Sequence, residues 1–272
     1  MSDGPNDVLE QIVARTRLKV AERQMSRPLD RLLARTHTRA PRRPFAVALG
    51  AEGGPHVIAE FKRRSPSRGV IREDLQVVHV ANAYQEAGAT ALSVLTEPES
   101  FGGSLDDLRE ARQATRLPAL RKDFIVDPYQ VWESWLAEAD AILLIVAALS
   151  DRQLDDLLVV AAEAELDALV EVHDGDELER ALRVGARIVG VNNRNLRTLK
   201  VDLATSLELA ARIPDEVVAV AESGIKTGDD IRRLAGAGFD AFLIGEHLMS
   251  SPDPGQALRG LLAASRPAEG HR

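Results

Sequence analysis

From about residue 57 the chain alternates between short, nearly continuous apolar runs and longer segments whose apolar residues recur at helical spacing. The runs fall at 57–61, 91–96, 118–122, 141–146, 168–172, 188–192, 217–222 and 241–245, are β-branched or leucine-rich, and predict strands. The segments between them, at 75–88, 105–115, 127–139, 150–165, 175–185, 204–213 and 227–238, predict helices, several with an Asp or Ser start and a Gly stop. Strands apolar along their whole length are buried on both faces, and a helix between successive strands makes those strands parallel. Eight such units between residues 45 and 265 come close to the ~250 residues of a (β/α)8 TIM barrel, which is the α/β fold predicted here. An open doubly wound sheet is the competing arrangement. The GxGxxG turn that would mark its dinucleotide-binding form does not follow the first strand.

Residues 1–44 stand outside the eight units and predict an N-terminal helical extension to a single catalytic domain spanning 45–272. An amphipathic helix is expected over 7–25 and a shorter one over 28–35, followed by a flexible stretch with Pro41 and Pro44. The apolar positions Val8, Ile12, Val13, Leu18 and Val20 predict docking on the barrel, either closing its bottom or contacting a partner, or covering its mouth.

Composition narrows the chemistry. The 272 residues contain no cysteine, which removes disulfides, thiolate nucleophiles and cysteine metal sites and fits a reducing cytoplasm. The longest apolar run, 141–149, is far below the ~20 residues of a membrane span, and the first residues lack the apolar core of a signal peptide. Net charge is −8, yet residues 1–44 are basic, so the body is markedly acidic; with aromatics at 4%, nucleic acid is not an expected partner. A membrane is not an expected partner either, and the protein itself is expected to be a monomer or weak homodimer.

In a barrel of this kind the active site lies at the C-terminal ends of the strands. Glu60 and Lys62 end the first predicted strand, Lys122 the third and Glu171 the fifth. Asn192 ends the sixth with Arg194 just beyond, and Glu222 with Ser223 ends the seventh. Gathered at one mouth, these charges are costly to desolvate unless they neutralise one another or meet a charged ligand. A structural ion-pair ring is one reading; acid–base work is the other, because paired acids and amines move each other's pKa. Only five of the 34 basic residues are lysines, and two of those five stand at strand ends, where an amine can release a proton that guanidinium keeps.

After the last two strands, Gly224 and Gly245 allow close backbone approach to an anion, and Glu246 opens a short segment whose amides would face it. The loop 63–71, with Ser65, Ser67 and Gly69, is basic and expected to be a flexible lid. The histidines show no metal-binding spacing, and His173, two residues past Glu171, is expected simply to line the same rim, so no metal is expected.

The segments IAEFKRRSPSRGVI, LSVLTEPESFGGSLDDL, LRKDFIVDPYQV, LVEVHD, IVGVNNRNLRTLKVDL and AESGIKTGDDI carry a resemblance. From Val57 to Leu258 the chain resembles the indole-3-glycerol-phosphate synthase family, most specifically in LRKDF, VDPYQV and GVNNRNL. The resemblance implies decarboxylation and ring closure of 1-(2-carboxyphenylamino)-1-deoxyribulose 5-phosphate, with loss of carbon dioxide and water and no cofactor. It implies Lys122 as the acid for ring closure, and Lys62 in dehydration or in binding the carboxylate and phosphate. Glu171 and Glu60 would move protons and hold the lysines' charge. It places Asn192 and Arg194 at the anthranilate carboxylate or adjacent hydroxyls, and Glu222 and Ser223 at the sugar chain. Ser65, Gly224, Gly245 and Glu246 would cradle the phosphate, the last two by backbone amides. Phe101, Phe124, Leu196 and Leu243 would form the apolar wall, with core packing the stronger reading for Leu243. A phosphosugar isomerase, which would need a Cys or Asp acid–base pair at these strand ends, and a non-catalytic barrel are the competing functions.

Overall fold

The computed structural model describes residues 8–34, 39–195 and 198–266. Ten strands occur among them: β1 (His56–Phe61), a hairpin of β2 (Arg64–Ser65) and β3 (Gly69–Val70), then β4 (Ala91–Leu95), β5 (Ala119–Lys122), β6 (Ala141–Ile145), β7 (Asp167–Val172), β8 (Ile188–Asn192), β9 (Val218–Glu222) and β10 (Ala241–Ile244). Apart from the hairpin they pair in parallel around a closed ring, β1 meeting both β4 and β10. Every predicted strand is present within one residue at either end.

Strand parity places the chemistry. Alternate side chains point inward, so Ile58, Leu120, Leu169, Ile188, Val220 and Leu243 pack together inside the barrel. Their neighbours, such as Val57, Ala59, Ile142, Leu144 and Val170, pack outward under the helices. Two residues beyond the inner apolar layer, or four in the case of Asn192, the same parity turns Glu60, Ser93, Lys122, Glu171, Asn192 and Glu222 toward the axis at the C-terminal end. Register aligns them: Glu60 lies opposite Ser93, and Asn192 opposite Glu222.

The N-terminal extension uses both ends of the barrel. Helix α1 (Val8–Ser26) lies on the mouth, burying Leu9, Ile12, Val13 and Val20. Its polar face is bonded to the segments that follow β4 and β5: Arg15 to Glu99 at 2.9 Å, Lys19 also to Glu99, Arg23 Nε to Glu133 at 2.8 Å and Gln24 Nε2 to Asp127 at 2.9 Å. Leu18, expected to dock, is 68% exposed, because α1 lies on a rim and only one narrow stripe reaches apolar surface. After α2 (Leu29–Leu33), the chain returns to the barrel bottom, where α3 (Phe45–Leu49) inserts Phe45 and Leu49 as a plug below the inner layer. The expected flexible stretch before the first strand therefore ends in a short helix that buries Phe45 and Leu49.

The bottom is held by Asp140, which is fully buried. Its carboxylate accepts from Arg112 Nε at 3.2 Å and Nη2 at 3.1 Å, from the Arg43 amide at 2.8 Å and from the Ala119 amide at 3.0 Å. Removing one partner of such a buried pair strands the other, at a cost of about 3–5 kcal/mol. Asp140→Ala is expected to lower the unfolding free energy by about that amount in urea denaturation. The double variant with Arg112→Leu is expected to recover part of the loss.

Candidate active site

A cavity of about 660 Å³ opens at the C-terminal mouth. Its floor includes Leu143, Ile145 and Leu243, and Phe101 and Phe124 form one wall with ring centroids 6.1 Å apart. Of the expected apolar wall, Leu243 serves both as barrel core and as floor, while Leu196 lies outside the described residues. The opposite side carries charge.

Lys122 Nζ lies 3.2 Å from Glu171 Oε2 and 3.5 Å from Glu222 Oε2, so one ammonium holds two carboxyl groups from β7 and β9. Lys62 Nζ donates to Glu60 Oε1 at 2.6 Å, and Ser93 Oγ approaches Glu60 Oε2 at 3.4 Å. The geometry requires glycine at two in-facing positions. A Cβ on Gly190 would sit 2.1 Å from Glu222 Oε1, and one on Gly245 would sit 2.2 Å from Glu60 Oε1. The expected reason for Gly245 was room for an anion; the structure adds that the Glu60 carboxylate already occupies that space.

The three central groups differ in protonation. Burial works to lower the Lys122 pKa, but Glu171, Glu222 and Glu60 outweigh it and hold the ammonium above its ordinary value. Burial pushes the Glu222 carboxyl up to about 8, with Glu171 adding to the push and Lys122 opposing it. Its Oε1 is buried without a hydrogen-bond partner, which disfavours the ionised form further. For Glu171 burial acts in the same upward direction, yet Lys122 and His173, with a hydrogen bond from Asn192, bring it below the ordinary carboxylate value. At neutral pH the mouth therefore holds an ammonium, a carboxylate and a neutral carboxylic acid side by side. That set can donate and accept protons at once.

The expected lid is an anchored hairpin. Arg63 reaches Asp107 with two parallel bonds of 2.8 and 2.7 Å, and the Ile71 and Arg72 amides both donate to the Arg63 carbonyl. This holds Ser65, Pro66, Ser67 and Arg68 over the cavity edge, with Ser65 Oγ accepting from the Arg68 amide at 3.3 Å. Ser223 and Gly224 both adopt positive φ, at 65° and 83°, turning the chain sharply after β9. Glu246 is expected to meet the phosphate by its backbone amide; its carboxylate accepts from Arg68 Nη1 at 3.1 Å and Arg194 Nη2 at 3.0 Å. Arg194 thus spans from the β8 loop to the segment after β10.

Several cavity residues escaped the sequence reading. Leu9 of α1 lines the cavity beside Ile12, whose docking on the barrel is expected, as do Val201 and Leu203 of the β8 loop. The parity of β6 could have found Leu143 and Ile145; nothing local marks the side on which α1 docks.

Residues 9–261 match the family model described as Indole-3-glycerol phosphate synthase. A protein of that name from Albidiferax ferrireducens is 47% identical over 262 residues, covering 95% of this chain and 99% of the relative. Among solved structures, 3-hexulose-6-phosphate synthase from Salmonella typhimurium superposes with a TM-score of 0.62 at 11% identity, covering 77% of this chain and 98% of that one. Thiamine phosphate pyrophosphorylase from Pyrococcus furiosus gives 0.57 at 18% identity, over 76% of this chain and 93% of the other. At such identities the likeness is one of fold alone.

Proposed function

The chain belongs to the indole-3-glycerol phosphate synthase family of carboxy-lyases in tryptophan biosynthesis, and on that footing we propose that its barrel mouth performs the ring closure with Lys122 as proton donor. The reaction converts 1-(2-carboxyphenylamino)-1-deoxyribulose 5-phosphate to indole-3-glycerol phosphate, carbon dioxide and water. The observation that carries the assignment of roles is the Lys122 ammonium held by Glu171 and Glu222 beside an aromatic wall.

The aniline nitrogen pushes electron density to the ring carbon that bears the carboxylate, and that carbon attacks the ketone. The carbonyl oxygen becomes an alkoxide, basic enough to take a proton even from an ammonium flanked by carboxylates, and Lys122 supplies it. The carboxylate then leaves as carbon dioxide, and its electron pair restores a neutral ring. In the last step the new hydroxyl leaves as water after taking a proton, while a proton is lost from the carbon beside nitrogen. Glu222, neutral at pH 7, suits the donor's part, and Glu171, ionised, suits the acceptor's. No cofactor enters these steps.

Lys62, balanced by Glu60, would meet the substrate carboxylate or phosphate, and Asn192 with Arg194 would orient the carboxylate or the hydroxyls beside it. Ser65, Gly224 and Gly245 would cradle the phosphate. The Glu246 carboxylate fits that end of the cavity because Arg68 and Arg194 neutralise it, so its charge does not face the phosphate uncompensated. Phe101 and Phe124 would stack against the anthranilate ring. A single catalytic domain, monomeric or weakly dimeric, completes the reading, and the biosynthetic family to which the chain belongs supports its placement in the cytoplasm.

The test is indole fluorescence on mixing the protein with the carboxyphenylamino-deoxyribulose phosphate in EDTA, without metal or nucleotide. A rise proportional to protein is expected. No rise, with the folded protein still binding the phosphosugar, would point to a non-catalytic barrel instead.

A further inference from the structure

Glu171 and Glu222 are both buried and both touch Lys122, yet only Glu171 is held ionised. The difference lies behind Glu171, outside the cavity. His173, one residue past β7, directs Nε2 at Glu171 Oε1 over 3.4 Å and Nδ1 at Glu177 Oε2 over 3.0 Å. Glu177, on the helix Gly175–Arg183, also accepts from the His173 backbone amide at 2.8 Å, which fixes it against the ring.

A carboxylate only accepts, so Nδ1 facing Glu177 must carry hydrogen. Nε2 then faces a second acceptor-only group, Glu171 Oε1, and a bare nitrogen there would set lone pair against lone pair. At 3.4 Å the two atoms make an ionic contact without a hydrogen bond, and a proton on the buried Nε2 replaces that repulsion by attraction, so the imidazole then carries both protons. Glu222 Oε1 is buried with no hydrogen-bond partner, and Lys122 approaches only its other oxygen. We propose that His173, held as an imidazolium by Glu177, is the positioning residue that keeps Glu171 ionised and aimed at Lys122, and thereby sorts the two glutamates into base and acid.

The surroundings agree. Burial lowers the imidazole's pKa, but the hydrogen bond to Glu177 and the charges of Glu171, Glu177 and Glu222 carry it above its ordinary value. The remaining charges near its segment are engaged elsewhere: Asp174 accepts from the Glu177 amide at 2.9 Å, and Arg180 bonds Asp151 and the Val146 and Leu149 carbonyls. Lys122 lies on the far side of Glu171.

The inference rests on Glu171's part in the proposed reaction, but one of its tests does not. Imidazole NMR of the substrate-free protein, with the His173 signal identified by its loss in His173→Gln, is expected to show both nitrogens protonated at pH 7. A neutral tautomer there would overturn the proposal whatever the enzyme does. In turnover assays, His173→Gln is expected to lower kcat about tenfold with KM little changed, and to move the acid limb of the kcat profile up by about one pH unit as Glu171 loses its cation. Glu177→Gln leaves the ring in place yet is expected to move the limb in the same direction. Limbs unmoved in both folded variants would reduce His173 to a packing role. A wild-type protein without turnover would overturn the assigned reaction, and is recognised before any variant is made.

Discussion

Lys122→Arg is expected to give a folded barrel whose kcat is lower by about a thousandfold, within the range that a positioned acid contributes. Charge is kept, so the variant isolates proton donation from electrostatics. Guanidinium stays protonated at any accessible pH and therefore cannot hand a proton to the developing alkoxide. Its planar fork also demands more room than the compact ammonium wedged between Glu171 and Glu222. Circular dichroism and substrate affinity are expected to change little, because the barrel floor beneath position 122 is made by Leu120, Leu143 and Leu169. Turnover within threefold of the parent would remove Lys122 from the proton-donating role.

Glu222→Gln is expected to lower kcat about a hundredfold and to raise stability at alkaline pH. Gln keeps a neutral hydrogen-bonding group but has no proton to give, so the alkaline limb expected of the parent as Glu222 ionises near pH 8 is expected to be absent from the variant. The stability effect follows from the same group. A carboxyl whose pKa is about 8 when folded and 4.5 when unfolded binds its proton more tightly in the folded state. Its contribution to stability is therefore present in full below pH 4.5 and is lost as pH rises to about 8. The gap in unfolding free energy between Glu222→Gln and the parent should widen over that window and level off above it, reaching about 5 kcal/mol. Urea denaturation at pH 5, 7 and 9 measures it; a gap independent of pH would mean that Glu222 is ionised throughout. Activity here depends on a group that the fold holds in an unfavourable place, which is a common arrangement at reacting sites.

Much of this site is legible in the chain because strand parity is a local property. Ile58 and Glu60, Leu120 and Lys122, Leu169 and Glu171, Val220 and Glu222 are each two residues apart, so whichever face the apolar residue takes, the charged one takes as well. An apolar run ending in a charge at that spacing marks both a strand and the end where chemistry collects. The shortest and least periodic pieces were not legible. Five residues, Phe45–Leu49, carry no helical signature strong enough to reveal a plug, and the hairpin after β1 reads as loose until Arg63 meets Asp107, 44 positions away.

The sequence by itself determined the eight strands, the closed parallel architecture and the set of charges at the mouth, since each depends on spacing within a few residues. Only the tertiary structure decided that α1 lies on the mouth and α3 below, that Gly190 and Gly245 make room for carboxylates, and which of two glutamates holds its proton. Those outcomes depend on distances between groups that barrel closure brings together: Lys122 to Glu171 and Glu222, and His173 to Glu171 and Glu177. Protonation follows burial and the nearest charges in space, and sequence separation does not encode either.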